Sequence, residues 1–260
     1  MTYATIKLDI KDGVAKITLN RPDKLNSFSD EMHKELRSIM PLLKSDDVRA
    51  VLITGEGRAF GAGADLSASS ASGGVLDAGE TLEKNYNPLI LFVRTIEKPV
   101  IAAVNGIAAG ASMSLALACD IVLAAKSAYF LQAFCHIGLV PDAGSTYFLP
   151  RLVGSGKAMG LAMLGDKLPA EDAEKMGLIW KIYPDDELMP AAEELAKRMA
   201  SGPTKGYALI KKAMNASLGN DLETQLKVER DFQQMASSTE DFYEGVAAFL
   251  GKRKANFKGR

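Results

Sequence analysis

Short apolar runs alternate with helical patterns over the first 150 residues, and this alternation constrains the fold more than any other feature. The alternating apolar residues of segment 5–20, arranged around Gly13, predict an antiparallel strand pair. Further strands are predicted at 48–54, 100–104 and 121–124. Because helical patterns separate these strands, the order is typical of β-α-β units in an α/β fold.

Helical patterns occupy most of the segments between the predicted strands. Ser29 or Asp30 is expected to cap the first helix, and Pro41 is expected to kink or end it. A second helix is predicted at 82–96. After residue 150 strand signals nearly vanish, except at 178–183, and helices are predicted at 157–164, 170–176, 188–200, 203–217, 221–236 and 239–251. The pattern therefore predicts a β/α core over about residues 1–150, a helical remainder, and one mobile segment rich in small residues at 67–79.

Charge and cysteine content narrow the classes of function. The 260 residues carry 31 Lys and Arg against 32 Asp and Glu, so no overall field attracts nucleic acid or an anionic membrane. The two cysteines and two histidines show no metal-ligand spacing, which argues against a zinc site. The N-terminus lacks a secretory pattern, and no apolar run reaches the length of a membrane span. We expect a cytoplasmic protein that binds no metal, nucleic acid or membrane.

Two turns made of small residues, at 58–66 and 105–111, are candidates for ligand binding. Small residues let backbone N–H groups approach a ligand, and the second turn lies directly before an alanine-rich helix whose first N–H groups are unpaired. Together the turns could form an oxyanion hole. The alternative is that both are tight turns that need small residues for packing, and local composition does not decide between the two.

Asp142 lies in a third segment, 138–146, which is apolar and bounded by a proline. Its carboxylate has two ordinary explanations, as the N-cap of a helix starting near Ala143 or as a solvated turn residue. Burial among apolar neighbours would instead raise its proton affinity and suit it to proton transfer near neutral pH. The local pattern favours the cap.

In this order and separation, the three segments resemble the crotonase superfamily, the enoyl-CoA hydratase/isomerase family. The likeness runs over essentially the whole chain. It is carried by segments 19–22 (LNRP), 25–26, 60–66, 98–106 (KPVIAAVNG), 119–121 and 249–253. Within the family the chain is most similar to isomerases that rearrange a ring epoxide of a phenylacetyl-CoA thioester, through segments 28–33, 86–89, 138–142, 158–162 and 229–233.

The resemblance implies an α/β fold, a crotonase-like spiral of ββα units. It places the spiral core at residues 1–200 and a C-terminal helical region at 201–260 that forms homotrimers, sometimes stacked as hexamers. The substrate is an acyl-CoA, so coenzyme A is part of the substrate and no separate cofactor is implied.

The family's functional positions fall on particular residues of this chain. The oxyanion-hole amides correspond to Ala64 and Ala111, with Gly110 adjacent. The implied substrate contacts are Lys24, Leu25, Ala62 and Asp65 for coenzyme A, Lys254 and Phe257 for its phosphates, and Phe134, Phe92 and Leu139 for the acyl group.

The departures from the family pattern bear on the chemistry. Hydratases place two glutamates where this chain has Ser114 and Phe134, neither of which can act as a general base. Asp142 matches the isomerase carboxylate. Ser112 and Ser114 lack a histidine-aspartate partner pattern and are interpreted as packing residues, and His136 as a packed or pocket-wall residue.

The interpretation is therefore an acyl-CoA isomerase in which Asp142 is the acid/base and the amides of Ala64 and Ala111 stabilise a thioester enolate. Such an enzyme would shift a double bond from the 3- to the 2-position, convert the ring epoxide to an oxepin, or do both. A generic enoyl-CoA isomerase or hydratase of fatty-acid oxidation is the alternative among enzymes. A non-catalytic acyl-CoA-binding protein is the alternative of another class.

Overall fold

The computed structural model of the chain describes residues 3–66 and 77–260, so most of the predicted mobile segment, 67–76, lies outside the described residues. The strands are β1 (Ile6–Lys11), β2 (Val14–Leu19), β3 (Ala50–Gly55), β4 (Ala59–Gly61), β5 (Val100–Val104), β6 (Ile107–Ala109), β7 (Ile121–Ala125), β8 (Tyr129–Leu131), β9 (Leu168–Pro169) and β10 (Lys181–Tyr183). The α-helices are α1 (Asp30–Leu43), α2 (Ala78–Thr81), α3 (Asn87–Thr95), α4 (Ala111–Ala118), α5 (Ser145–Val153), α6 (Ser155–Leu164), α7 (Ala170–Lys175), α8 (Leu188–Ala200), α9 (Thr204–Ser217), α10 (Leu222–Ser237) and α11 (Glu240–Leu250).

The strands form two sheets. A six-stranded sheet has the order β1-β2-β3-β5-β7-β10, and a four-stranded sheet has the order β4-β6-β8-β9. Strands β1 and β2 pair antiparallel, whereas β2, β3, β5, β7 and β10 are parallel neighbours. The predicted antiparallel pair and the α/β class are confirmed.

Each pass of the chain contributes one strand to each sheet. Strand β3 is followed by β4, β5 by β6, and β7 by β8, and β4, β6 and β8 pair in parallel. Because the same step repeats, the chain winds as a spiral of ββα units, as the resemblance implied. The second strand of each unit, only three residues long, lies where the sequence indicates no more than a turn or nothing at all.

Helix α8 shows how the larger sheet is covered. It packs on β3, β5 and β7, and its Ala192, Ala196 and Ala200 are buried. Residues four apart share one helix face, and their single methyl groups let the helix approach the sheet closely. Strands β3 and β5 are buried along their whole length, as expected for parallel strands covered on both faces.

Two helix boundaries differ from the sequence prediction. Pro41 does not end α1, which runs on to Leu43, because a proline this close to the C-terminus removes few hydrogen bonds. The helix predicted at 82–96 is preceded by α2 and opens with a π-helical turn, Leu82–Tyr86, before α3. The expected cap is confirmed, since Ser29 Oγ accepts a hydrogen bond from Met32 N.

Helices α9, α10 and α11 follow residue 200 and are joined to a C-terminal tail. The carboxylate of Asp241 in α11 accepts hydrogen bonds from the backbone N–H groups of Lys258 and Gly259. A boundary between residues 200 and 201 stays a prediction.

Candidate active site

The two turns of small residues meet at one edge of the four-stranded sheet. Neighbouring parallel strands β4 and β6 end there, so the residues that follow them are brought side by side. Gly63 has φ +87° and Gly110 has φ +52°, both in the left-handed region that favours glycine. A Cβ atom on Gly63 would lie 3.1 Å from Ala109 O and 3.6 Å from Ala111 N. The close approach of the turns therefore requires glycine.

Two amides at this edge are available to a ligand. Ala111 is the first residue of α4, where an N–H group has no partner within the helix. Among the described residues, no acceptor is hydrogen-bonded to the N–H of Ala64. Their neighbours are engaged, since Gly63 N donates to Ser112 Oγ at 3.1 Å and Gly110 N donates to Leu131 O at 2.9 Å. The geometry suits binding of a developing oxyanion.

Buried polar groups hold the first turn in place. Asn26 is fully buried, and its side-chain amide donates to Glu56 O at 2.9 Å and to Ala59 O at 2.7 Å. The guanidinium of Arg21 pairs with the Asp65 carboxylate at 2.8 Å. The sequence analysis assigned no role to Asn26, because only the fold shows that its side chain is buried against this distant turn.

The residues predicted to contact coenzyme A partly come together here. Ala62 N donates to Leu25 O at 2.9 Å, so the segments holding these two residues are adjacent, and Lys24 is exposed beside them. Asp65 N donates to Phe28 O, and the Asp65 side chain is engaged by Arg21. The Asp65 carboxylate therefore stabilises the first turn through its ion pair with Arg21. The contact between Asp65 and the substrate stays a prediction, through the backbone of this residue.

Lys254 and Phe257 do not join this group within one chain. Phe257 O accepts a hydrogen bond from Arg49, the residue directly before β3. The candidate turns follow the opposite end of β3, which at six residues spans about 20 Å. The contact of Lys254 and Phe257 with the phosphates of coenzyme A stays a prediction.

Asp142 is not the N-cap of a helix. Helix α5 begins at Ser145 with Gly144 as its N-cap, so the cap favoured by the local pattern is wrong. The backbone carbonyl of Asp142 instead accepts hydrogen bonds from Ser145 N and Ser114 Oγ, both at 3.0 Å. The backbone carbonyl of Asp142 therefore binds the N-terminus of α5, and the Asp142 carboxyl group takes no part in capping this helix.

The Asp142 carboxyl group is unusual in having a buried oxygen, Oδ1, with no hydrogen-bond partner within the described part of the chain. Burial raises the pKa of Asp142 from 3.8 to about 6. A buried polar group without a partner destabilises the native state by about 1–3 kcal/mol, which suggests that this group serves a function. A carboxylate with a pKa near 6 accepts and returns protons efficiently near neutral pH.

A small hydrogen-bond network fixes Asp142 relative to α4. The hydroxyls of Ser114 and Ser145 lie 2.6 Å apart, and Gln132 Nε2 donates to Ser145 Oγ at 2.8 Å. Ser114 also reaches Gly110 O at 3.2 Å. Ser114 is thereby engaged in structural hydrogen bonds, in agreement with the packing role predicted for it.

The three residues expected to line the acyl pocket lie in different parts of the structure. The buried ring of Phe134 lies against the second turn, since a Cβ atom on Gly110 would be 3.6 Å from its Cζ atom. Leu139 is 42% exposed, and its N–H donates to Phe134 O. Phe92 instead faces Lys44 and lines a small interior cavity beside α1, so its assignment is wrong. His136 is likewise exposed, with Nε2 3.1 Å from Leu164 O, so it is not a buried packing residue, and its role as a pocket-wall residue stays a prediction.

An aromatic cluster beside the first turn was missed by the sequence analysis. Phe28 and His33 stack with ring centroids 5.1 Å apart, and Tyr86 meets them edge-on at 5.6 Å and 4.4 Å. Both ring nitrogens of His33 are buried and have no hydrogen-bond partner in residues 3–66 and 77–260, and burial lowers the pKa of His33 to about 4. The available signal was a histidine on the buried face of α1, four residues after the Ser29 cap.

Two searches of the described residues bear on cofactors and membranes. Across residues 3–66 and 77–260, no three side chains of His, Cys, Asp or Glu come together as a metal-binding group. In the same part of the chain, every helix is too short or too polar to cross a bilayer.

Comparisons with known proteins agree with this geometry. The family model described as enoyl-CoA hydratase/isomerase matches residues 9–260. The chain is 48% identical over 254 residues to the 1,2-epoxyphenylacetyl-CoA isomerase of Escherichia coli, covering 96% of this chain and 97% of that protein. It is 45% identical over 260 residues to a protein of Rhodobacter capsulatus named probable enoyl-CoA hydratase, covering all of both. The crystal structure of an enoyl-CoA hydratase from Bacillus anthracis superposes with a TM-score of 0.93 at 34% identity, covering 99% of this chain and 100% of that one. The chain therefore belongs to the enoyl-CoA hydratase/isomerase family.

Proposed function

We propose that this protein is an acyl-CoA isomerase whose single acid/base is Asp142. The observation that carries the proposal is the buried Asp142 Oδ1, which has no hydrogen-bond partner among the described residues. Ser114, on the same helix that offers the Ala111 amide, donates to the backbone carbonyl of Asp142 and so fixes the position of that residue. A second carboxylate is missing from the positions where hydratases carry their glutamates, which are Ser114 and Phe134 here.

In the proposed mechanism the thioester carbonyl oxygen lies between the amides of Ala64 and Ala111. These N–H groups stabilise the enolate that forms when a carbon-bound proton leaves the acyl chain, each contributing on the order of 3 kcal/mol. The Asp142 carboxylate takes that proton and returns it to a different carbon. The double bond then moves from the 3- to the 2-position of the enoyl-CoA.

The ring epoxide is the second proposed substrate, supported by the 48% identity to the 1,2-epoxyphenylacetyl-CoA isomerase of E. coli. The same two amides would hold the thioester while the epoxide rearranges to the seven-membered oxepin. In the double-bond shift the developing charge lies on the thioester oxygen, where the two turns supply hydrogen-bond donors.

Hydration of an enoyl-CoA is the second candidate function, because the R. capsulatus and B. anthracis proteins carry hydratase names. Adding water requires a group that activates the water molecule. The hydroxyl of Ser114 is engaged with Gly110, Asp142 and Ser145, and Phe134 is apolar. We therefore rank hydration below isomerisation.

Three further parts of the proposal concern cofactor, assembly and location. Two amides and one carboxylate suffice for the proton transfer, so we propose that coenzyme A enters only as part of the substrate. A homotrimer or dimer of trimers is supported by exposed apolar side chains on the C-terminal helices, among them Leu222, Phe242, Tyr243, Phe249 and Leu250. A cytoplasmic location is proposed from the two free cysteines, Cys119 and Cys135.

The test is product analysis after incubating trans-3-hexenoyl-CoA with the wild-type protein, with Asp142→Asn and with the exposed control Asp186→Asn. We expect trans-2-hexenoyl-CoA without hydrated product from the wild type and the control, and a loss of at least 100-fold in Asp142→Asn, in line with removal of a general base. Hydrated product as the main outcome, or full activity in Asp142→Asn, would refute the proposal.

A further inference from the structure

The two amides of the proposed oxyanion hole belong to peptide groups whose carbonyl ends are held in different ways. A peptide group is planar, so a hydrogen bond to its carbonyl oxygen also fixes the direction of its N–H. The oxygen of the Gly63–Ala64 peptide group accepts a hydrogen bond from the backbone N–H of Phe28 at 2.8 Å. The oxygen of the Gly110–Ala111 peptide group accepts from Ser114, from its N–H at 3.1 Å and its hydroxyl at 3.2 Å. The second amide therefore depends in part on a side chain.

The same hydroxyl contacts the segment that carries the acid/base. Ser114 Oγ donates to the backbone carbonyl of Asp142 at 3.0 Å and lies 2.6 Å from Ser145 Oγ. Ser114 and Ser145 are fully buried, so these hydrogen bonds act in a surrounding of low dielectric constant, where they are strong. One hydroxyl thus connects the peptide group that offers the Ala111 amide with the residue proposed to move the proton.

Gln132 sets the direction of these hydrogen bonds. Gln132 Nε2 donates to Ser145 Oγ at 2.8 Å, so the single hydrogen of the Ser145 hydroxyl remains to be donated. In the described residues, the one other side-chain oxygen within reach of Ser145 Oγ is Ser114 Oγ, so Ser145 donates to Ser114. Ser114 then keeps its own hydrogen for the carbonyls of Gly110 and Asp142. We call Gln132, Ser145 and Ser114 the polar chain.

The first member of the polar chain is a poor choice for packing alone. Gln132 is 1% exposed, and its Oε1 has no hydrogen-bond partner in residues 3–66 and 77–260. A buried polar atom without a partner destabilises the native state, and a methionine would fill similar space without that cost. Gln132 also directly follows Leu131, whose carbonyl accepts from Gly110 N at 2.9 Å. The donation to Ser145 therefore explains why a glutamine stands beside the second turn.

We propose that the polar chain positions the Ala111 amide relative to Asp142, and so sets how strongly the site stabilises an enolate over a neutral thioester. Its members are positioning residues, because they act through the Ala111 peptide group and the Asp142 backbone. An enolate oxygen carries a charge, so its hydrogen bonds depend more on the direction and polarisation of the donor than those of a neutral carbonyl. The inference rests on the proposed function in that a thioester oxygen binds the two amides.

The test compares two probes, acetoacetyl-CoA and butyryl-CoA, with binding measured by calorimetry at mildly alkaline pH. The acetoacetyl group readily forms an enolate, whose ultraviolet absorbance reports the bound anion, whereas the butyryl group remains a neutral thioester. In Ser114→Ala we expect the affinity for the enolate to fall about tenfold, and in Gln132→Met at least about threefold. The affinity for butyryl-CoA should change less than about twofold in both, which also shows that each variant is folded.

Two substitutions of the same kinds, far from the polar chain, serve as controls. Ser38→Ala removes a hydroxyl that bonds a carbonyl within α1, and Gln225→Met removes an amide that donates to a carbonyl of α9. Both controls should bind the two probes as the wild type does. Because the polar chain acts in series, the double variant of Ser114→Ala and Gln132→Met should lose no more enolate affinity than Ser114→Ala alone.

Three results would overturn the inference. These are equal losses for the two probes, an enolate affinity that is unchanged in Ser114→Ala or in Gln132→Met, and additive losses in the double variant. The outcome is separate from the isomerase test. A selective loss of enolate binding without isomerisation of trans-3-hexenoyl-CoA by the wild type would refute the proposed function and keep the polar chain. Isomerisation through Asp142 with unchanged enolate binding in the variants would do the reverse.

Discussion

Replacing Asp142 by asparagine is expected to stabilise the protein at neutral pH while it removes activity. The native state raises the pKa of this carboxyl group from 3.8 to about 6, so the native state binds the proton more tightly than the unfolded state does. Wild-type stability therefore falls as pH rises from about 4 through 6 and is level above that range. At pH 8 the penalty for the buried charge amounts to about 3 kcal/mol, and at pH 5 to about half of that.

The asparagine variant carries no such charge, so its pH dependence is the quantity to measure. The free energy of unfolding of both proteins is obtained from urea titrations between pH 5 and pH 8. We expect the stability of the variant relative to the wild type to increase by about 1 kcal/mol over this interval, whatever the packing of the amide itself. A difference that stays constant with pH would refute the idea that Asp142 is held in a buried, unpaired state.

Three further predictions follow from named contacts. Ser112→Ala leaves the N–H of residue 63 without its acceptor, so we expect the free energy of unfolding to fall by about 1–2 kcal/mol and turnover to fall about tenfold. Unchanged turnover would contradict a role for Ser112 in shaping the turn at 58–66. Lys211→Met removes a buried ammonium group that binds Asp120 and two backbone carbonyls, and we expect the free energy of unfolding in urea titrations to fall by about 3–5 kcal/mol. The control Lys212→Met, at an exposed neighbour, should lose less than about 1 kcal/mol, and similar losses in the two variants would contradict the prediction. Isomerisation should rise with pH through an apparent pKa of about 6, because Asp142 acts in its ionised form, and a rate that falls over pH 5–7 would contradict that assignment.

The longer elements of the fold were predictable because each contains its own periodic signal. The alternation around Gly13 and the β-branched run that forms β3 correspond to observed strands. The short strands β4, β6 and β8 were hidden, because three residues are too few to display alternation and two of them are made mainly of glycine and alanine. Those strands exist because each pairs with the same strand of the neighbouring spiral turn.

The site was predictable from the sequence only where the turns of small residues coincide with the positions that the family resemblance implies. The family resemblance placed the amides of Ala64 and Ala111 in the two turns of small residues, and the structure brings those turns together. The local pattern around Asp142 predicted a helix cap, because sequence spacing does not reveal that Gly144 takes that position and that Ser114 reaches across from another element. His33 and Tyr86 lie far apart in sequence, and only the packed fold shows that their rings meet.

The most direct test of the central claim, that Asp142 shuttles a proton against an enolate held by the two amides, is deuterium uptake by trans-3-hexenoyl-CoA in D₂O, followed by mass spectrometry. We expect the wild type to form isomerised product that carries deuterium but no added water, and Asp142→Asn to form neither. Equal deuterium uptake in the variant, or hydrated product from the wild type, would contradict the account.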